Sequence, residues 1–173
     1  MKTYPLPEEK GRMSSKKVSE VVTEYITRGT SQNKLTWVIL GGESFIKKQP
    51  SSLIEYVSIG QKGIPKSSVI YLADFMNLPL KDIAHLLNIS YKTLGRKHPQ
   101  DKMDALSSSM SIEIASVVAQ GMLVFEEAEK FNNWLHKSNI ALEGKTPFDL
   151  LNTPTGINII KKLLIRIEEG VYT

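Results

Sequence analysis

The sequence predicts an all-α protein, and three observations carry that prediction. From residue 51 apolar residues recur at helical spacing almost to the end of the chain. Pro or Ser/Thr stands where helices would open, and Gly where they would stop. Finally, 173 residues with 41% hydrophobic and 23% charged content can bury a core without staples.

In chain order, residues 1–15 are rich in Pro, Lys and Glu with little apolar content, which predicts a mobile arm. Residues 16–28 place Val18, Val21, Val22, Tyr25 and Ile26 on one helical face, and Gly29 ends the run. A turn at 30–33 leads to LTWVILGG, whose β-branched and aromatic content suits a strand or a buried helix equally. Ser51 or Ser52 caps the next helix, which Gly60 and Gly63 break. Pro65 opens a helix with Val69, Leu72, Ala73 and Met76 on one face, and Pro79 opens another with Leu80, Ile83, Ala84 and Leu87. Asn88-Ile89-Ser90 reads as a turn and N-cap for a helix that Pro99 ends. Residues 101–108 read as polar linker, and Ser109 or Ser111 then caps a long apolar helix to about Phe125. A further helix runs to Lys137, a loop and a short helix FDLLN follow, and Thr153-Pro154 starts the last helix, which Gly170 ends.

Zero cysteines excludes a disulfide framework, thiolate catalysis and cysteine-ligated zinc. No apolar run approaches the roughly 18 residues of a membrane span, and the N-terminus lacks a signal-peptide core, so the expected address is cytoplasmic. The net charge of +4 is unevenly placed. Residues 1–102 hold sixteen basic against nine acidic residues, and the remainder six against nine. Such asymmetry points to an anionic partner for the front and a different partner for the back.

Two constellations carry chemistry. In the first, Pro79–Lys97, two short helices share a tight turn, as a helix-turn-helix requires. Ala84 is small where the helices cross, Leu87 and Ile89 fill the corner, and Leu94 anchors the second helix. Ser90, Tyr91, Lys92, Thr93, Arg96 and Lys97 are left to project. A recognition helix sets its N-terminal residues on base edges and its basic residues on phosphates, so these six are the candidate DNA-binding residues. An ordinary helical hairpin with a basic face, or a dimer platform, would show the same pattern.

The second is N-I-A-L-E-G-K-T-P-F-D-L-L-N-T-P-T-G from Asn139, followed by a helix ending R-I-E-E-G-V-Y. This series resembles the toxin-binding domain of the Xre/MbcA/ParS antitoxins, and the upstream helix-turn-helix is similar to their Xre-type domain. The resemblance covers roughly residues 50–173. It implies an N-terminal extension over 1–49, a DNA-binding domain over 50–108, and a dimerisation and toxin-binding domain over 109–173. It also implies an antitoxin of a type II pair that occludes the active site of an NAD-degrading RES-domain toxin and represses its own promoter. By position, the toxin-facing motif falls on Asn139, Gly144, Lys145, Thr146, Pro147, Asp149, Arg166, Gly170, Val171 and Tyr172, with Leu142, Leu150, Thr153, Gly156 and Glu168 in the same pattern. Glu169 and Thr173 flank the tail and join the candidate surface. The chain departs from the family in LSSSMSIEIASVVAQG, which lacks the arginine-bearing helix, and in residues 1–49.

The residues support an interaction role independently. Ile157, Ile160, Leu163, Leu164 and Ile167 form a buried stripe, while Lys161, Lys162, Arg166 and Glu169 face elsewhere. Gly170 permits a backbone reversal, and Tyr172 either anchors a partner or folds back on its own core. Ile112, Ile114, Ala115, Val117, Val118, Met122, Leu123 and Phe125 exceed what one helix face needs, which predicts a homodimer contact. His85, His98 and His136 have no partner at ligand or triad spacing, and Gly41-Gly42-Glu43-Ser44 lacks the lysine and helix of a phosphate loop. Neither enzyme nor cofactor is expected. A stand-alone helix-turn-helix regulator with a C-terminal dimerisation domain, or a plain helical scaffold, are the alternatives.

Overall fold

Apolar stripes that cannot be satisfied alone find one another around a single long helix. The structure is a computed structural model describing residues 13–171; most of the predicted mobile arm, together with Tyr172 and Thr173, lies outside the described residues. Among these residues there are ten α-helices and no strand beyond one isolated bridge. They are α1 (Ser15–Thr27), α2 (Gln32–Ile39), α3 (Leu53–Lys62), α4 (Lys66–Phe75), α5 (Leu80–Leu86), α6 (Tyr91–Arg96), α7 (Ala105–Phe125), α8 (Ala128–His136), α9 (Pro147–Leu150) and α10 (Pro154–Glu168).

Capping decides most of the boundaries. Ser14, Ser31, Ser52, Ser90, Asp104 and Thr153 each accept an N–H from the first turn that follows them. The ambiguous stretch LTWVILGG is helical as far as Ile39, because the cap Ser31 starts α2 at Gln32 and packing against α7 goes with the complete burial of Leu35, Ile39 and Leu40. The arm ends sooner than composition predicts. Met13 is buried, and its N–H donates to Asp74 Oδ2 at 2.9 Å.

Two further expectations fail for one reason, the small residues that let helices close together. Gly60 does not break α3. It lies inside the helix, where a Cβ would come 2.8 Å from Ser109 Oγ of α7. Residues 101–108 are not a linker, and neither Ser109 nor Ser111 is a cap. Asp104 starts α7, and Ser107, Ser108 and Ser111 are buried inside it. Their hydroxyls are satisfied: Ser111 Oγ donates to Ser107 O at 2.7 Å within α7, and Ser108 Oγ accepts from Ile64 N–H at 3.1 Å across the fold. The boundary between residues 108 and 109 thus falls inside one helix.

α7 packs against α2, α3 and α10, and also touches α4 and α8. Its 21 residues are long and apolar enough to cross a membrane by composition, yet most of that surface is covered by the chain's own helices. This corrects the predicted dimer contact. Ile114, Ala115, Val117, Val118 and Met122 are fully buried and Ile112 nearly so, while Leu123 and Phe125 pack on the same core. The surplus of apolar residues is consumed within the chain, because α7 is surrounded rather than packed on one face.

Candidate functional site

The first candidate surface is the α5–α6 pair. After Leu86 the chain turns through Asn88 in the left-handed region (φ 55°), with Ile89 N–H on Ala84 O and Asn88 N–H on His85 O. That is a Schellman reversal with Asn in place of Gly. Ala84, Leu87 and Leu94 are buried where the helices cross, as their sizes predict. Of the six candidate residues, Tyr91, Lys92, Thr93 and Arg96 face solvent, Tyr91 with 58% of its surface exposed. Ser90 is occupied by capping: its Oγ accepts from Thr93 N–H at 2.9 Å and pairs with Thr93 Oγ1 at 2.7 Å. Lys97 is half-buried and donates from Nζ to Lys102 O at 2.8 Å.

What holds α6 in place was not legible in the sequence. Lys66, buried at the start of α4, donates from Nζ to Lys97 O at 2.6 Å, just past the C-terminal end of α6. Lys66 N–H and Ser67 N–H donate to Asp101 O and Pro99 O, so the segment after α6 is fastened to α4. The cation satisfies a carbonyl where the helix dipole is negative, and its charge is the reason no hydrophobic pattern reveals it.

The second candidate surface is the C-terminal motif, which divides into residues that build it and residues it presents. Asn139 closes a loop: Oδ1 accepts from Ala141 N–H at 2.8 Å, and its backbone exchanges bonds with Gly144 and Lys145. Glu143 and Gly144 supply the positive φ, 56° and 83°. Thr146 and Asp149 form a reciprocal capping box on α9, with Pro147 buried at the first helical position. Leu142 and Leu151 are buried in the same core. Thr153 caps α10 through Gly156 N–H at 3.1 Å. Asn139, Thr146, Pro147 and Asp149 are therefore engaged within the fold.

Lys145, Arg166, Glu168, Glu169, Gly170 and Val171 remain outward, and Tyr172 and Thr173 lie outside the described residues. Gly170 (φ 71°) turns the chain out of α10: Val171 N–H reaches Arg166 O at 2.9 Å and Gly170 N–H reaches Ile167 O at 3.0 Å. The stripe Ile157, Ile160, Leu163 and Leu164 is buried, with Ile167 packed beside it. Lys161 is not free, since it bonds Glu113 of α7 at 2.5 Å. Ile140, 96% exposed, and Ile165 are apolar side chains on this surface that sequence reasoning missed; both sit off the buried periodicity, which is the signal they offered. Asn88 Nδ2 donates to Asn152 O at 2.9 Å and so links the two surfaces.

The Asp149 carboxyl is held below its ordinary range, first by the Thr146 hydroxyl and then by the Thr146 N–H. A depressed carboxylate pKa means that the stabilisation is present above the unfolded value and lost as pH falls through the folded one. The Asp149 carboxyl is expected to titrate below the ordinary aspartate midpoint in an NMR pH series, with the chemical shift of the Thr146 amide following the same midpoint. In a Thr146→Ala variant the Asp149 midpoint should move up toward the ordinary value. Among the described residues no cluster of His, Cys, Asp and Glu could hold a metal ion.

Comparison with known proteins places this C-terminal region in a family. Residues 120–170 match the antitoxin Xre/MbcA/ParS C-terminal toxin-binding domain. The protein named Prs ADP-ribosylating antitoxin, from a Sphingobium species, is 23% identical over 132 residues, covering 70% of this chain and 83% of that protein. Antitoxin Xre of Pseudomonas putida is 30% identical over 83 residues, 47% of this chain and 52% of its own, so the chain spans about half of that relative. The crystal structure of the M. tuberculosis MbcT–MbcA toxin–antitoxin complex contains a chain with 21% identity, covering 62% of this one and 96% of that one, at a TM-score of 0.47. Loop 139–145, the capped α9 and α10 with its turned-out end all lie in the matched segment or touch its limit at residue 170, so it is this C-terminal region that is similar to the toxin-binding domain of the Xre/MbcA/ParS antitoxins.

Proposed function

We propose that the chain is the cytoplasmic antitoxin of a type II pair, that it occludes the active site of a cognate NAD-degrading RES-domain toxin, and that it represses its own promoter through α5 and α6. The observation that carries the first half is the match over residues 120–170, together with the outward end of α10 within it. Lys145, Arg166, Glu169, Val171 and the tail through Tyr172 and Thr173 form the toxin-binding surface, while Asn139, Thr146, Pro147 and Asp149 position it. Cellular NAD⁺ after induction of the gene adjacent to its own tests this reading. NAD⁺ should collapse without the chain and recover with it. Deleting 170–173 should remove most of that rescue while the unfolding midpoint changes little. Unchanged NAD⁺ in the absence of the chain, or full rescue by the deletion, would contradict it and leave the stand-alone regulator in its place.

Operator DNA is the second partner in this reading. The basic excess of residues 1–102 and the exposed Tyr91, Lys92 and Arg96 support it. Lys92→Ala with Arg96→Ala should weaken duplex binding and reduce the salt slope by about two, roughly one per phosphate contact. Lys97→Ala should alter that slope less, because its ammonium is already held by Lys102 O. An unaltered slope in the double variant would remove α6 from the interface. We also propose a homodimer, since a helix-turn-helix usually reads a two-fold site. With most of the apolar surface of α7 buried, the contact falls elsewhere, and Leu53, Ile54 and Val57 on one exposed face of α3 are apolar side chains available to make it.

A further inference from the structure

Residues 13–75 form a groove that neither candidate surface uses. It measures about 480 Å³ and lies between α1, α2, α4 and the chain at 41–49. Ligand sites usually run from about 300 to 1,000 Å³, apolar within and with a few placed polar groups. Val21, Val38 and Phe75, all buried, line it with apolar surface. Tyr25, Trp37 and Tyr71 supply aromatic surface. The Trp37 ring is fixed in place, because its Nε1 donates to Ile46 O at 2.8 Å. Tyr71 packs edge-on to Phe45 at 5.6 Å, and its hydroxyl makes no hydrogen bond within the described protein. Burial raises the Tyr71 pKa, so the hydroxyl stays a neutral donor.

Charge completes the description. Lys17, Lys34, Lys47 and Lys48 line the same groove, and no ion pair among the described residues engages any of them. Arg28 is already paired with Glu24 at 2.9 Å, which leaves Glu43 as the opposing carboxylate not engaged in that pair. Lys34 Nζ lies over the Tyr25 ring at 5.7 Å, and the ammonium groups of Lys17, Lys47 and Lys48 in the same groove as the held Trp37 ring ask for a ligand with a planar ring joined to a strong anion. Inorganic phosphate would leave the apolar surface unused, and an uncharged aromatic would leave the lysines unanswered.

We propose that this groove binds a nucleoside monophosphate, with its base against Trp37 and Tyr71 and its phosphate among the lysines. Calorimetric titration of the full chain with AMP, CMP, GMP and UMP at low salt tests this, with adenosine and inorganic phosphate as separate arms. At least one nucleotide should give saturable binding below ~1 mM, and both adenosine and phosphate should bind about tenfold more weakly or worse. Lys47→Ala with Lys48→Ala, both exposed and outside any helix, should weaken nucleotide binding about tenfold at an unchanged unfolding midpoint. Tyr71→Phe should weaken it severalfold without altering the fold. No saturable heat from any of the four nucleotides, equal binding by phosphate alone, or full affinity in both variants would overturn the proposal.

Discussion

Gly156→Ala is expected to destabilise the protein by about 3 kcal/mol or more, near the upper end for overpacking a closed site. Gly156 is buried in the first turn of α10, and a Cβ there would lie 2.0 Å from Leu150 O and 2.8 Å from Leu150 C. Those neighbours are backbone, so relief requires α9 to move off α10 as a unit. The same Cβ would stand 2.9 Å from Thr153 Oγ1, the atom that caps α10, and a lost cap costs about 1 kcal/mol on its own. Urea unfolding should show a lower midpoint at an unchanged slope. Gly95→Ala is the control. It lies on exposed α6 with nothing within 4 Å of its Cβ, and Ala there should be neutral or stabilising by about 0.5–1 kcal/mol. Equal behaviour of the two variants would mean that α9 and α10 are not packed as described. Since domains hold only about 5–15 kcal/mol in total, the Gly156 variant should also lose the proposed toxin binding through unfolding of the surface.

Phe131→Ala should cost about 3–5 kcal/mol, the usual range for emptying a large aromatic site. Phe131 is fully buried and joins α8 to α7, where Gly121 leaves room for its ring; a Cβ on Gly121 would fall 2.1 Å from it. The Trp134 ring stacks on it with centroids 6.0 Å apart, and Phe125 lies 6.2 Å away. Removing the ring leaves a cavity bounded by helices that cannot collapse independently, because α8 also packs against α1 and α9. Both thermal unfolding and the emission of Trp134 should report the loss. A cost under about 1 kcal/mol would show that α8 is not anchored through this residue.

Much of the architecture was legible because its signals are short-ranged. A cap and the N–H it accepts lie three residues apart, so Ser52, Ser90 and Thr153 could be read from neighbours alone. The α10 stripe and the Asn88 turn are equally local, and so is the reversal at Gly170. The C-terminal motif was legible as a pattern for the same reason. Its division into builders and presented residues was not, since Asn139 and Asp149 look as polar and as available as Lys145 until their bonds are seen.

The amino-acid order settled where most of the helices outside α2, α3 and α7 begin and end, which residues carry the family pattern, and that the front of the chain is basic. Four matters waited for the tertiary structure. Residues 35–39 became helix, the serines of α7 went inside, Lys66 came to hold the end of α6, and four lysines gathered around one aromatic groove. Each depends on partners tens of residues away, such as Ile64 with Ser108 or Gln32 with Ser116. Caps and periodicity act within one or two helical turns, whereas burial of a polar group is decided by what packs opposite it, and no local pattern encodes that distance.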